Sequence, residues 1–142
     1  MQRYEFSSIK EGDSAEFEIE ISEADVDLFA SLSGDINPLH MDGDFSKQRG
    51  FLGRVVHGFY LAALVSRLVG VYLPGQNALI QQTQLTFHSP TYIGDKIKVT
   101  GIVDRKSEGV NTLKVSINIL RTSDNVLLVS GKVQIGFTKV TT

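Results

Sequence analysis

The chain has 142 residues, 42% hydrophobic and 21% charged, with a net charge of −2 and a pI near 5.9. That is the make-up of one soluble globular domain, residues 1–142, long enough to bury roughly two-thirds of its unfolded surface. The mildly acidic balance gives no footprint for nucleic acid, and the absence of cysteine excludes disulfides, thiolate catalysis and cysteine-ligated metal centres.

The first six residues, Met1 to Phe6, form no apolar run of signal-peptide length. The longest apolar stretch, about Phe59 to Leu73, is interrupted by Ser66 and Arg67 and is too short to span a bilayer. A cytoplasmic protein without a membrane partner is expected.

From Ala15 to Ile21, Phe17, Ile19 and Ile21 alternate with Glu16, Glu18 and Glu20, the pattern of a half-buried strand. Ser22 then opens a helix, with Asp25 three residues on as its capping-box partner. Val26, Phe29 and Ser33 share one face, Leu28 and Leu32 adjoin it, and Gly34 stands where a left-handed residue ends a helix most cheaply. Asp35 to Arg54 reads as a structured loop with one helical turn near Asp44–Gln48. Loops of that length are usually functional or disordered, and Phe45, Phe51 and Leu52, read as buried, argue for order.

Gly58 to about Tyr72 predicts a second helix, apolar on nearly every side through Phe59, Leu61, Leu64, Val65, Leu68 and Val69. Such a helix is surrounded by protein. Pro74-Gly75 stops it. Strands are expected over Ala78–Ser89, with Leu79, Thr83, Leu85 and Phe87 near one face, then over Lys96–Arg105, Asn111–Arg121 and Val126–Val140. This order predicts an α+β fold, a strongly curved antiparallel sheet wrapped around the buried helix. Its open edges call for a second copy, so a homodimer is expected.

The chemistry concentrates in Ser33-Gly34-Asp35-Ile36-Asn37-Pro38-Leu39-His40. Asp, Asn and Pro are ordinary turn residues, and for any one of them alone that reading suffices. His40, between Leu39 and Met41, is harder to explain as punctuation. A carboxylate and an imidazole on one proline-stiffened turn can share a water and move its protons. Farther on, His57-Gly58 opens the second helix. Either this is an ordinary helix start, or a free amide there binds a carbonyl oxygen at the positive end of the helix; spacing leaves both open. Ser66 fits a hydroxyl bonded back to its own helix, and His88 fits a structural or surface residue. Asp42-Gly43-Asp44 is short of a calcium loop, so no metal site is expected.

On these residues the chain resembles the MaoC-like, (R)-specific enoyl-CoA hydratases. The likeness runs from Phe29 through Ser33–His40 and Val56-His57-Gly58 to Leu73-Pro74-Gly75, Phe87-His88-Ser89-Pro90 and Gly94-Asp95. The resemblance implies the hot-dog fold, a curved sheet around a long central helix, commonly dimeric. It implies that Asp35 and His40 activate one water for addition to C3 of a trans-2-enoyl thioester, with the Gly58 amide on the thioester oxygen. Ser66 would support the polar end of the pocket, and Asn37 would hold the loop's shape. No cofactor is implied, coenzyme A being part of the substrate.

The family also contains dehydratases that act on acyl carrier protein, so an acyl-carrier-protein thioester is the alternative substrate. A non-catalytic acyl-CoA-binding module would not need both Asp35 and His40. A thioesterase would place a carboxylate on the central helix, and none stands between His57 and Tyr72. Val65, Leu68 and Val69 would narrow the acyl tunnel. Chains of about four to eight carbons are therefore expected, because a methylene that fits gains roughly 0.8 kcal/mol and one that does not costs about 1–3 kcal/mol.

Overall fold

The computed structural model describes residues 1–138. Strand β1 (Ser14–Glu20) is followed by helix α1 (Glu23–Ser33), two short helices α2 (Pro38–Met41) and α3 (Gly43–Gln48), and helix α4 (Gly58–Arg67). A π-helical turn, Leu68–Tyr72, prolongs α4 before strands β2 (Ala78–Phe87), β3 (Lys96–Ser107), β4 (Thr112–Arg121) and β5 (Leu127–Phe137). The expected extension of the last strand to Val140 lies outside the described residues.

The five strands form one antiparallel sheet in the order β1-β3-β4-β5-β2. Its concave face presents Ile97, Val99, Val103, Leu113, Val115, Ile117, Ile119, Val133 and Ile135, all buried. Leu61, Leu64, Val65, Leu68 and Val69 pack against them from α4 and its extension. This is the hot-dog arrangement, and burial of each such side chain contributes roughly 1.5–3 kcal/mol. At Gly101 on β3 an added Cβ would stand 2.6 Å from Leu68 Cδ2, so the helix can lie this close to the sheet only because that position lacks a side chain.

Several local expectations hold in detail. Ser22 caps α1 and Asp25 answers it, completing the capping box, and Gly34 ends the helix at φ 76°. Others need correction. Alpha1 buries Val26 and Ala30 and leaves Leu28 and Leu32 in solvent, and Leu52 is exposed as well. The loop holds two helices: besides α3, Pro38 at the first turn and the Asn37 cap fold residues 38–41 into α2.

In β2 a register shift between Ile80 and Gln82 inserts one extra residue. An inserted residue inverts the alternation of side chains, which puts Leu79 on the opposite face from Thr83, Leu85 and Phe87. Alpha4 is not enclosed within the single chain either. Phe59 is 78% exposed, and Ala63, Ser66 and Arg67 are open on the same side. Among the described residues no helix is long and apolar enough to cross a membrane.

Candidate active site

The site lies where the loop after α1 meets the start of α4. Gly34 turns the chain out of α1 in the left-handed conformation, and the Ser33 hydroxyl accepts the Asp35 N–H at 3.1 Å. The Asp35 carboxylate then accepts the Asn37 N–H through Oδ1 at 3.3 Å, and the Asn37 side chain accepts the Leu39 N–H at 2.9 Å. Each short polar side chain thus satisfies a backbone donor of the next turn, which is why this run of residues folds as it does. Asn37 holds the loop and does not reach into the cleft. Asp42 does the same for α3, accepting the N–H groups of Asp44 and Phe45, which accounts for the Asp42-Gly43-Asp44 cluster without calcium.

His40 is 14% exposed, and its Nδ1 lies 2.7 Å from the Val55 carbonyl. A carbonyl only accepts, so Nδ1 carries the hydrogen and the neutral ring keeps its lone pair on Nε2. Nε2 faces Asp35 Oδ2 at 3.8 Å, and the Asp35 side chain is 51% exposed. Two acceptors at that separation do not bond each other. They are placed to share a donor of two hydrogens, which is a water.

His57 is buried beneath this pair. Its Nε2 donates to the Asp35 carbonyl at 2.9 Å and its ring stacks on His40 with centroids 3.9 Å apart. It therefore holds the carboxylate-bearing residue by its backbone and the imidazole by its face. Asp35, His40 and His57 bring ligand-type atoms within 4.8 Å of one another. Nδ1 of His40 and Nε2 of His57 are spent on carbonyls. The rings are stacked and inclined by only 28°, so one ion close to them cannot lie in the plane of both.

Next in the chain, Gly58 begins α4. The first helical amides to reach the His57 carbonyl are those of Tyr60 and Leu61, at 3.1 and 3.4 Å, so the Gly58 N–H has no helical acceptor. A cleft of about 340 Å³ opens over it, lined by His40, Phe51, Val55, Gly58, Leu61 and Phe87 among others. The amide, the imidazole and an apolar wall therefore share one cavity. Of the residues expected there, Val65, Leu68 and Val69 are instead sealed between α4 and the sheet. Ser66 points outward on the open side of α4. The apolar wall is built by Phe51, Val55, Leu61 and Phe87.

Two braces were not foreseen from the sequence. Arg54 Nε donates to the His40 carbonyl at 2.6 Å, and the same guanidinium pairs with Glu23 at 2.9 Å and with Asp27. It ties the His40 turn to α1. Arg121 on β4 donates to Asp95 at 3.0 Å, to Asp124 at 3.1 Å and to the Pro90 carbonyl at 2.8 Å, fixing the loop that forms the far wall of the cleft. Burial works against the Arg121 charge, yet the bonds to Asp95 and Asp124 outweigh it and hold its pKa above the ordinary arginine value. Neither brace leaves a local signature, because every partner but Asp124 is remote in sequence. The only hint was an arginine between two apolar stretches.

Comparison with known proteins places the chain. The MaoC-like domain model matches residues 5–125. An (R)-specific enoyl-CoA hydratase of Rhodospirillum rubrum is 41% identical over 105 residues, 71% of this chain and 73% of that protein. A mitochondrial 3-hydroxyacyl-[acyl-carrier-protein] dehydratase of Arabidopsis thaliana is 31% identical over 113 residues, 78% of this chain and 67% of that one. The solved (R)-hydratase of Aeromonas caviae superposes with a TM-score of 0.88 at 30% identity, over 92% of this chain and 98% of its own. Sequence and fold agree over most of the length: the chain belongs to the MaoC-like family.

Proposed function

We propose that this protein is a hydro-lyase that adds water reversibly to trans-2-enoyl-CoA, giving (R)-3-hydroxyacyl-CoA. The observation that carries the reading is the pair of acceptors, the His40 Nε2 lone pair and the Asp35 carboxylate, 3.8 Å apart, with His40 lining the cleft that also holds Gly58. A water donating one hydrogen to each group keeps its oxygen lone pairs free for C3. Asp35 takes one proton as the C–O bond forms, while His40 orients the water. The electrons of the C2=C3 bond move onto the thioester oxygen, where the Gly58 N–H and the positive end of α4 stabilise the enolate. Return of the proton to C2 from the same face completes a syn addition, and every step reverses.

The reading requires no metal or redox cofactor; coenzyme A enters as part of the substrate. A tail running over Phe51, Leu61 and Phe87 favours short to medium acyl groups. The likeness to the Arabidopsis thaliana dehydratase keeps an acyl-carrier-protein thioester as the second substrate class. The open side of α4 at Phe59, with Ile80 and Phe87 exposed on one face of the edge strand β2, supports a homodimer in which a second copy covers that face, and the cysteine-free chain suits the cytoplasm.

Incubation with crotonyl-CoA tests the function. Hydration removes the enone absorbance without freeing thiol, and chiral analysis should return the (R) alcohol. Free thiol would make the protein a thioesterase, and no reaction at all would leave only binding.

A further inference from the structure

Among the described residues, two buried side-chain polar atoms lack a hydrogen-bond partner: His57 Nδ1 and Thr91 Oγ1. Thr91 is 2% exposed, and its carbonyl accepts the Val56 N–H at 2.8 Å. That bond pins Thr91 beside Val56, two residues before Gly58, and Thr91 lines the same cleft as His40, Gly58 and Leu61. A valine would fill the position with the same shape and no hydroxyl to leave unsatisfied. Retaining the hydroxyl in the interior costs stability unless something provides a partner.

We propose that the Thr91 hydroxyl donates a hydrogen bond to the thioester carbonyl oxygen of the bound substrate, beside the Gly58 amide. This rests on the hydratase reading above and completes its electrostatics. In the reacting part of an enoyl thioester the carbonyl oxygen is the one good acceptor; the sulfur accepts weakly and C2 and C3 not at all. That oxygen gains negative charge as water adds, and a donor that is already desolvated and held by its own backbone stabilises the charge without reorganising. The Thr91 oxygen itself is closed off from the cleft in this structure, so the side chain meets the substrate oxygen by rotating about its single Cα–Cβ bond. With Gly58 alone the oxygen has a single donor from the chain. With Thr91 it has two, one from the helix end and one from the loop before β3.

Thr91→Val and Thr91→Ser, assayed on crotonyl-CoA beside the wild type, decide the matter. Thr91→Val should lower kcat/KM on the order of 10–100-fold, somewhat less than loss of a principal oxyanion donor. It should also raise Tm by roughly 3–6 °C, since the unsatisfied hydroxyl is gone. Thr91→Ser should restore turnover to within a few-fold. Unchanged kcat/KM in a folded Thr91→Val variant would overturn the proposal, whatever its Tm. So would a lowered Tm or failure to fold, which would mean that the hydroxyl already has a structural partner. An inactive wild type would overturn the hydratase reading and this proposal together, whereas an active wild type with a fully active Thr91→Val variant overturns the Thr91 assignment alone.

Discussion

The loop from Asp35 to Gly58 and the sheet from β3 to β5 are built on opposite principles. The sheet buries aliphatic side chains against α4 and its strands pair along their length with one register shift in each pairing; any one residue there could change to another of similar volume at modest cost. The loop buries little, and single hydrogen bonds set its geometry: His40 to the Val55 carbonyl, His57 to the Asp35 carbonyl, Arg54 to the His40 carbonyl. In each case a side chain fixes a backbone oxygen near the site. The sheet thus supplies stability that is broadly distributed, while the loop supplies position that no neighbouring bond can replace. Damage to the first should appear in Tm and damage to the second in turnover.

The largest separation is expected at the water site. Asp35→Asn and His40→Gln should each lower hydratase kcat on the order of 10²–10⁴-fold, the worth of a positioned proton acceptor or donor. Tm should stay near the wild-type value for Asp35→Asn, whose amide oxygen can still accept the Asn37 N–H, while His40→Gln also loses the bond to the Val55 carbonyl, worth about 1 kcal/mol. Steady-state kinetics with calorimetry on the same samples measures both. Near-native turnover in either variant would remove that residue from the mechanism. Ser66→Ala, on the open side of α4, should cost less than either.

Ile117→Ala is the opposite case. Ile117 is buried at the centre of the sheet on β4, and truncation leaves a cavity costing about 2–5 kcal/mol. Denaturant unfolding should show that loss, while kcat per folded molecule stays close to wild type. A matching fall in kcat would mean that sheet packing sets the catalytic geometry directly, and the contrast between the two regions would not hold.

Arg54 tests the boundary between them. Glu23 and Asp27 are exposed partners, and exposed ion pairs contribute little, so the consequential bond is the one to the His40 carbonyl. Arg54→Met should reduce kcat roughly tenfold and stability by about 1 kcal/mol. Arg54→Lys should recover little of the activity, since one ammonium cannot span three acceptors as the guanidinium does. Equal losses of kcat and of 1/KM would point to substrate binding and away from positioning of His40.

These contrasts also explain what the sequence disclosed. Local rules sufficed for the capping box of Ser22 and Asp25, for the left-handed Gly34 and for the strands, because each depends on neighbours a few residues away. Asp35 and His40 were legible for the same reason: they sit on one turn. The Arg54 brace joins residues 27 and 31 positions apart, and no local pattern records such a bond. The inverted face of Leu79 needed the bulge at Gln81, which the sequence showed only as Leu79-Ile80 followed by two glutamines. Val65, Leu68 and Val69 lie on an apolar helix, and periodicity cannot tell which apolar side meets the sheet and which the cleft. Thr91 carried no pattern at all; its significance is an unpaired oxygen, visible only once its surroundings are assembled.

The smallest effect belongs to the outer face of the sheet, far from both functions. Asp104 accepts from Lys132 at 2.9 Å, and that bond, with the lysine charge behind it, holds the Asp104 carboxyl below its ordinary value. A carboxylate whose pKa is lowered by folding adds stability above its unfolded pKa, near 4, and loses it as pH falls through the folded value. Lys132→Ala should therefore lower Tm slightly at neutral pH, by about 1–2 °C for so exposed a pair. The difference from wild type should vanish once pH falls below the lowered folded value, where the carboxyl is protonated in both. Turnover should be unaffected at neutral pH. A Tm difference that persisted unchanged in acid would show that the lysine acts through the packing of its aliphatic stem on the strand, not through its charge.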